Sequence, residues 1–116
     1  GTSMRVPVPV GSVVDLVVNL KKAVTVESIN QAVEAAAKSK GFKGIIEYST
    51  AELVSSDVMK NPHSTVFDSL STMVIGENVA KVIAWYDNEW GYSSRVVDLI
   101  KFAHGLKAPR APKAGA

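Results

Sequence analysis

Residues 73–90 read Met73-Val-Ile-Gly76-Glu77-Asn78-Val79-Ala-Lys-Val-Ile-Ala-Trp-Tyr86-Asp87-Asn88-Glu89-Trp90. Two β-rich runs, Met73 to Ile75 and Val79 to Tyr86, flank Gly76-Glu77-Asn78. A three-residue loop containing Gly between such runs reads as a hairpin. Asp87-Asn88-Glu89 then breaks the pattern and puts acid and a capping side chain where a helix N-terminus prefers them. A helix is expected from about Trp90 to His104, with Tyr92, Val96, Leu99, Ile100 and Ala103 as its apolar stripe. Arg95 and Asp98 stand three positions apart and can pair on it. Gly105 ends it.

Upstream, Arg5-Val-Pro-Val-Pro9 is stiffened into extended backbone, because each Pro fixes its own φ and restricts the residue before it. Ser12 to Leu20 is the clearest strand. Val14, Leu16, Val18 and Leu20 share one face at period two, and the opposite face is half apolar, as a covered surface would be. Thr25 to Lys40 reads as a helix with Thr25 as N-cap and Val26, Ile29, Val33 and Ala36 or Ala37 as the stripe. Glu34 and Lys38 can pair at four residues, and Gly41 stops the helix. Ile45 to Tyr48 and Thr65 to Asp68 are short strands. Thr50 to Val54 is expected to make one helical turn, and Ser55 to Ser64 a polar loop. The order strand, helix, strand, loop, strand, hairpin, helix implies an α+β class. An antiparallel or mixed sheet with helices on one face fits it.

The chain has 116 residues and no cysteine, 47% hydrophobic and 21% charged. That is one domain or part of one. A disulfide scaffold, a thiolate zinc site and a cysteine nucleophile are excluded within these residues. No run approaches the length of a membrane span, and no leader pattern is visible at the start. Three of the 13 basic side chains, Lys107, Arg110 and Lys113, fall in the last ten residues, which carry no acid. The rest is near neutral and shows no basic stripe, which argues against a nucleic-acid module. The tail, residues 107–116, is Pro- and Ala-rich and is expected to be disordered.

Asp57, His63 and Ser64 offer the inventory of a hydrolytic triad, but no Gly-x-Ser-x-Gly elbow accompanies them. Such residues in a loop more often make turn and capping bonds. His63 and His104, the only two histidines, have no metal-binding pattern around them. No Gly-rich phosphate-binding turn occurs. Trp85, Tyr86, Trp90 and Tyr92 gather four of the eight aromatics. They form either core and interface or a stacking surface for a base or cofactor. Arg5 on its stiff segment is either a surface residue or a mounted fork for a phosphate.

Taken together, Arg5-Val-Pro, Ser12-Val-Val-Asp-Leu, Val54-Ser-Ser-Asp, Pro62-His-Ser, Phe67-Asp and the block Trp85-Tyr-Asp-Asn-Glu-Trp-Gly-Tyr-Ser-Ser-Arg-Val-Val-Asp-Leu99 resemble the C-terminal part of glyceraldehyde-3-phosphate dehydrogenases. The resemblance covers residues 1–106, part of that family's catalytic domain. It implies a glycolytic oxidoreductase of the cytoplasm, a homotetramer that uses NAD and takes glyceraldehyde 3-phosphate and inorganic phosphate. It implies that Arg5 contacts phosphate, that Asn88 holds the nicotinamide carboxamide, and that Tyr92 packs near the ring. The family's catalytic cysteine and histidine have no counterpart here, so no catalytic residue and no metal ligand is assigned to this chain. These residues alone are expected to be inactive. The chain departs from many relatives at Val8, Val10-Gly11 and Asn61. A dehydrogenase acting on erythrose 4-phosphate, or a non-catalytic oligomerisation module, are the alternatives.

Overall fold

A computed structural model of the chain describes residues 1–105. The expected disorder of residues 107–116 lies outside the described residues. The elements are β1 (Ser12–Asn19), α1 (Val26–Lys38), β2 (Ile46–Ser49), a 3-10 turn (Ser55–Val58), β3 (Thr65–Ile75), β4 (Val79–Tyr86) and α2 (Trp90–Gly105). The four strands form one mixed sheet in the order β1-β4-β3-β2. β4 runs antiparallel to both β1 and β3, while β2 runs parallel to β3. The α+β reading with a C-terminal helix is therefore what the chain adopts.

The centre is small. Val58, Val66, Phe67 and Ala80 are its buried apolar side chains. Tyr48 stacks on its register partner Phe67 with ring centroids 5.9 Å apart. α1 starts on a reciprocal cap: Thr25 Oγ1 accepts the Ser28 N–H at 3.1 Å, and Ser28 Oγ accepts the Thr25 N–H at 2.9 Å. Such a cap satisfies two of the orphan donors of the first turn. The stripe Val26, Ile29, Val33, Ala36 and Ala37 is half-buried, as its spacing predicts. Asn30 joins it, donating through Nδ2 to the Ser69 carbonyl at 3.0 Å and accepting from Thr72 Oγ1 at 2.8 Å. A polar side chain thus clips α1 to β3 where an apolar one would be expected.

Two expectations need correction. The runs Thr65 to Asp68 and Met73 to Ile75 are not separate strands; they are the two ends of β3, joined across an irregularity between Asp68 and Met73. The buried Asp68 carboxylate organises it. Its Oδ1 accepts the N–H groups of Leu70 (3.2 Å) and Ser71 (3.3 Å), and its Oδ2 accepts the Ser71 hydroxyl at 2.8 Å. An extra loop of backbone in a strand needs such partners for its unpaired amides. The helical turn expected at Thr50 to Val54 lies instead at Ser55–Val58. Asp57 draws it there, because its Oδ2 accepts the Val54 N–H at 2.8 Å.

β1 is an edge strand, and Val13, Val14, Leu16 and Val17 are all about half exposed, so both its faces are open. Most of the apolar stripe of α2 is exposed as well, Leu99 and Ile100 at 63% each. No described helix is long and apolar enough to cross a membrane.

Candidate functional site

The antiparallel register places Ser12 opposite Tyr86. The Arg5 segment therefore enters the sheet at the same end at which β4 leaves it toward Asn88. The starts of β2 and β3 lie at this end too, since Ser64 N–H donates to the Ile45 carbonyl at 2.9 Å. Four chain crossings thus converge at one pole of the sheet.

Asp87 is the structural node there. It is 4% exposed. Its Oδ1 accepts the N–H groups of Glu89 (2.9 Å) and Trp90 (2.8 Å), and its Oδ2 accepts the Lys60 N–H at 2.7 Å. These backbone donors, that of Trp90 foremost, hold its carboxyl below the usual Asp range against the opposing effect of burial. Asp87, not Asn88, is therefore the side chain that satisfies the start of α2.

Relieved of capping, the Asn88 side chain is exposed. Ser12 Oγ donates to its Oδ1 at 3.5 Å, a long contact. Asn88 shares an open hollow with Ser64, Tyr86, Asp87, Gly91, Tyr92 and Arg95. Tyr92, on its rim, is 73% exposed. The core reading of Tyr92 thus fails within this chain. Gly91 is buried against the loop before β3: a Cβ there would meet the His63 carbonyl oxygen at 3.0 Å. Absence of a side chain is what lets α2 approach so closely.

Arg5 is exposed on its segment. The segment is anchored behind it at Gly11, which has φ +100 and passes so near the Ser55 carbonyl that a Cβ would stand 3.0 Å from it. The structure thus joins Asn88 and Tyr92 in one hollow and brings the Arg5 segment to the same pole. The triad inventory does not converge. His63 Nδ1 lies 2.9 Å from Asn61 Oδ1 and 3.0 Å from Glu47 Oε2, while Asp57 serves the Val54 amide. Among the described residues no cluster of three or more His, Cys, Asp or Glu could hold a metal ion.

Residues 1–88 match the family model described as glyceraldehyde 3-phosphate dehydrogenase, C-terminal domain. The chain belongs to that family. It is 54% identical over 112 residues to glyceraldehyde-3-phosphate dehydrogenase 2 of Bacillus subtilis (strain 168), covering 96% of this chain and 33% of the relative. It is 56% identical over 100 residues to glyceraldehyde-3-phosphate dehydrogenase of Mycobacterium avium, covering 86% of this chain and 29% of the relative. A third relative, from Borreliella burgdorferi, is 55% identical over 100 residues, with 85% and 30% covered. The chain therefore spans about a third of the length of the curated relatives it matches. The match to the family model ends at Asn88, so α2 lies beyond the matched residues, although the match to the Bacillus relative extends across 112 residues.

Proposed function

We propose that the chain is the later part of the catalytic domain of an NAD-dependent, phosphorylating glyceraldehyde-3-phosphate dehydrogenase of the cytoplasm. Arg5 binds phosphate of substrate or of the attacking inorganic phosphate, Asn88 holds the nicotinamide carboxamide, and Tyr92 lies beside the ring. The observation that carries this reading is the division of labour at the start of α2. Asp87 takes the capping bonds, which leaves the Asn88 amide exposed beside an exposed tyrosine, at the pole to which the Arg5 segment leads.

The donor set fits a nicotinamide amide. Ser12 Oγ contacts Asn88 Oδ1, so Asn88 Nδ2 is the end left to donate to a carboxamide oxygen. The bound nucleotide supplies the hydride acceptor. The chain's own part is orientation: a fixed amide and a flat side wall select one ring pose. Arg5 offers a bidentate fork to developing negative charge. The 116 residues contain no cysteine, so no thiohemiacetal forms on them, and activity requires the rest of the enzyme. NAD binding by the chain alone is expected to be weak.

Grafting residues 1–105 in place of the matching third of the Bacillus relative tests this reading. The graft should support NAD-dependent oxidation of glyceraldehyde 3-phosphate. Arg5→Ala and Asn88→Ala should each lower it by about a hundredfold or more. A graft that folds and turns over only erythrose 4-phosphate, or a graft indifferent to both substitutions, would sink the assignment.

The exposed apolar faces of β1 and α2 favour a second, compatible reading as an oligomerisation surface for further copies of the enzyme. Apolar patches of this extent rarely stay open on a monomer. Sedimentation of the chain as a clean monomer at high concentration would count against it.

A further inference from the structure

α2 is held to the body of the fold at its first turns only. Val97, Leu99, Ile100 and Phe102, further along, are all exposed. Two of its attachments sit close together: the Asp87 carboxylate on the amides of Glu89 and Trp90, and Gly91 pressed on the His63 carbonyl. Neighbouring point contacts of this kind act as a pivot and leave the rotation of the helix open.

The third attachment is Arg95, four residues after Gly91 and three after Tyr92, hence on the same side of the helix. Its Nη1 donates to the Gly44 carbonyl at 3.0 Å and to Ser64 Oγ at 3.4 Å, while its Nη2 meets Asp98 Oδ2 at 2.8 Å. One planar group is thus gripped by the approach to β2, by the loop before β3 and by its own helix. Its Nε is buried with no acceptor among the described residues. An unpaired buried donor is costly, so the bonds made by the two Nη atoms are what hold the group in place. Arg95 also lines the hollow that holds Asn88 and Tyr92.

We propose that Arg95 is the positioning residue of the Asn88–Tyr92 turn. Its guanidinium fork sets the rotation of α2 against Gly44 and Ser64, and so sets where the Asn88 amide and the Tyr92 ring stand. That this turn serves a nicotinamide rests on the function proposed above; the placement itself does not. A fork-shaped group can fix rotation because its donors lie in one plane at set angles, whereas the three donors of an ammonium turn freely about its flexible stem.

The test uses the whole 116-residue chain without cofactor, so its failure is separate from failure of the dehydrogenase reading. The side-chain amide resonances of Asn88, the ring resonances of Tyr92 and the exchange rates of backbone amides are followed by NMR in Arg95→Gln, Arg95→Lys and Ser64→Ala. In Arg95→Gln the Asn88 and Tyr92 signals should move or broaden. The amides of residues 90–94 should exchange about tenfold faster or more, while those of β3 and β4 stay within about twofold. Arg95→Lys should fall between Arg95→Gln and the parent, and Ser64→Ala should shift the same signals less. Changes confined to residues 94–98 would reduce Arg95 to a local partner of Asp98 and overturn the proposal. A uniform acceleration that includes β3 and β4 would make it a general stability element and overturn it equally. If Arg95→Gln fails to fold, Arg95→Lys and Ser64→Ala decide by the same pattern.

Discussion

Asp87 Oδ2 accepts the backbone N–H of Lys60 across 2.7 Å, although the two residues stand 27 positions apart in the chain. The bond ties the end of the 3-10 turn to the start of α2. It also holds Lys60 at φ 62, a backbone conformation that a side chain with a Cβ enters at a cost.

Removing the carboxylate should therefore loosen two elements at once. Asp87→Ala is expected to lower stability by about 2 kcal/mol or more, since three backbone donors lose a charged acceptor. The pH dependence follows from the lowered carboxyl pKa. A carboxyl whose folded pKa lies below its unfolded value contributes stability above the unfolded value, 3.8. That stability drains away as pH falls through the folded value. Urea unfolding between pH 7 and pH 2 should show the parent losing more stability on acidification than Asp87→Asn. Equal losses would show that the carboxylate is not the group being titrated.

Lys60→Gly removes the left-handed strain but adds freedom to the unfolded chain. The two effects oppose each other at roughly 1 kcal/mol apiece. The glycine variant should therefore match or slightly exceed the parent in thermal unfolding, while Lys60→Val should fall clearly below both. A glycine variant well below the parent would mean that the Lys60 side chain itself contributes contacts.

Asn30→Ala strips partners from the Ser69 carbonyl and the buried Thr72 hydroxyl. A loss of about 1–3 kcal/mol is expected. Pairing Asn30→Leu with Thr72→Val should cost less than the two single losses added, because the Thr72 hydroxyl is then removed with its partner and only the Ser69 carbonyl is left stranded. Strict additivity in the double-mutant cycle would show that the clip is not one unit.

Asn88→Ala separates binding from folding. Because Asp87 does the capping, this change should leave stability within about 0.5 kcal/mol of the parent. In the grafted dehydrogenase it should still impair turnover and NAD binding. A drop in stability comparable to that of Asp87→Ala would return Asn88 to the role of a cap.

Much of the scaffold was legible because it follows simple periods. Val14, Leu16 and Val18 at period two mark β1, the Gly76-Glu77-Asn78 loop marks the hairpin, and Ile29 with Val33 marks α1. What escaped notice depends on polar groups that act at a distance. Ser69-Leu70-Ser71-Thr72 reads as a break between strands, and only the Asp68 carboxylate and Asn30 show why it stays in β3. At Asp87-Asn88 the chain offers two adjacent side chains of nearly equal capping strength. Sequence cannot rank them; the Lys60 amide, brought in from another loop, decides. Arg5, Asn88 and Tyr92 were singled out by resemblance. The fold adds their arrangement, with Asn88 and Tyr92 in one hollow and the Arg5 segment at the same pole. Nothing in spacing alone pointed to the Arg95 fork beyond its pairing with Asp98.

The hairpin loop has a practical use. It caps the pole opposite the candidate site and is pinned there. Asn78 Nδ2 donates to Asn19 Oδ1 at 2.9 Å, and Leu20 and Val24 N–H groups donate to the carbonyls of Asn78 and Glu77 at 2.8 Å each. The Glu77 side chain is nonetheless exposed. With no cysteine anywhere in the chain, Glu77→Cys would create a single thiol on a rigid mount, about 25 Å from the start of α2 by strand length. A surface tether or a dye attached there would leave the opposite pole free, so partners or nucleotides could be titrated against an immobilised, uniformly oriented molecule.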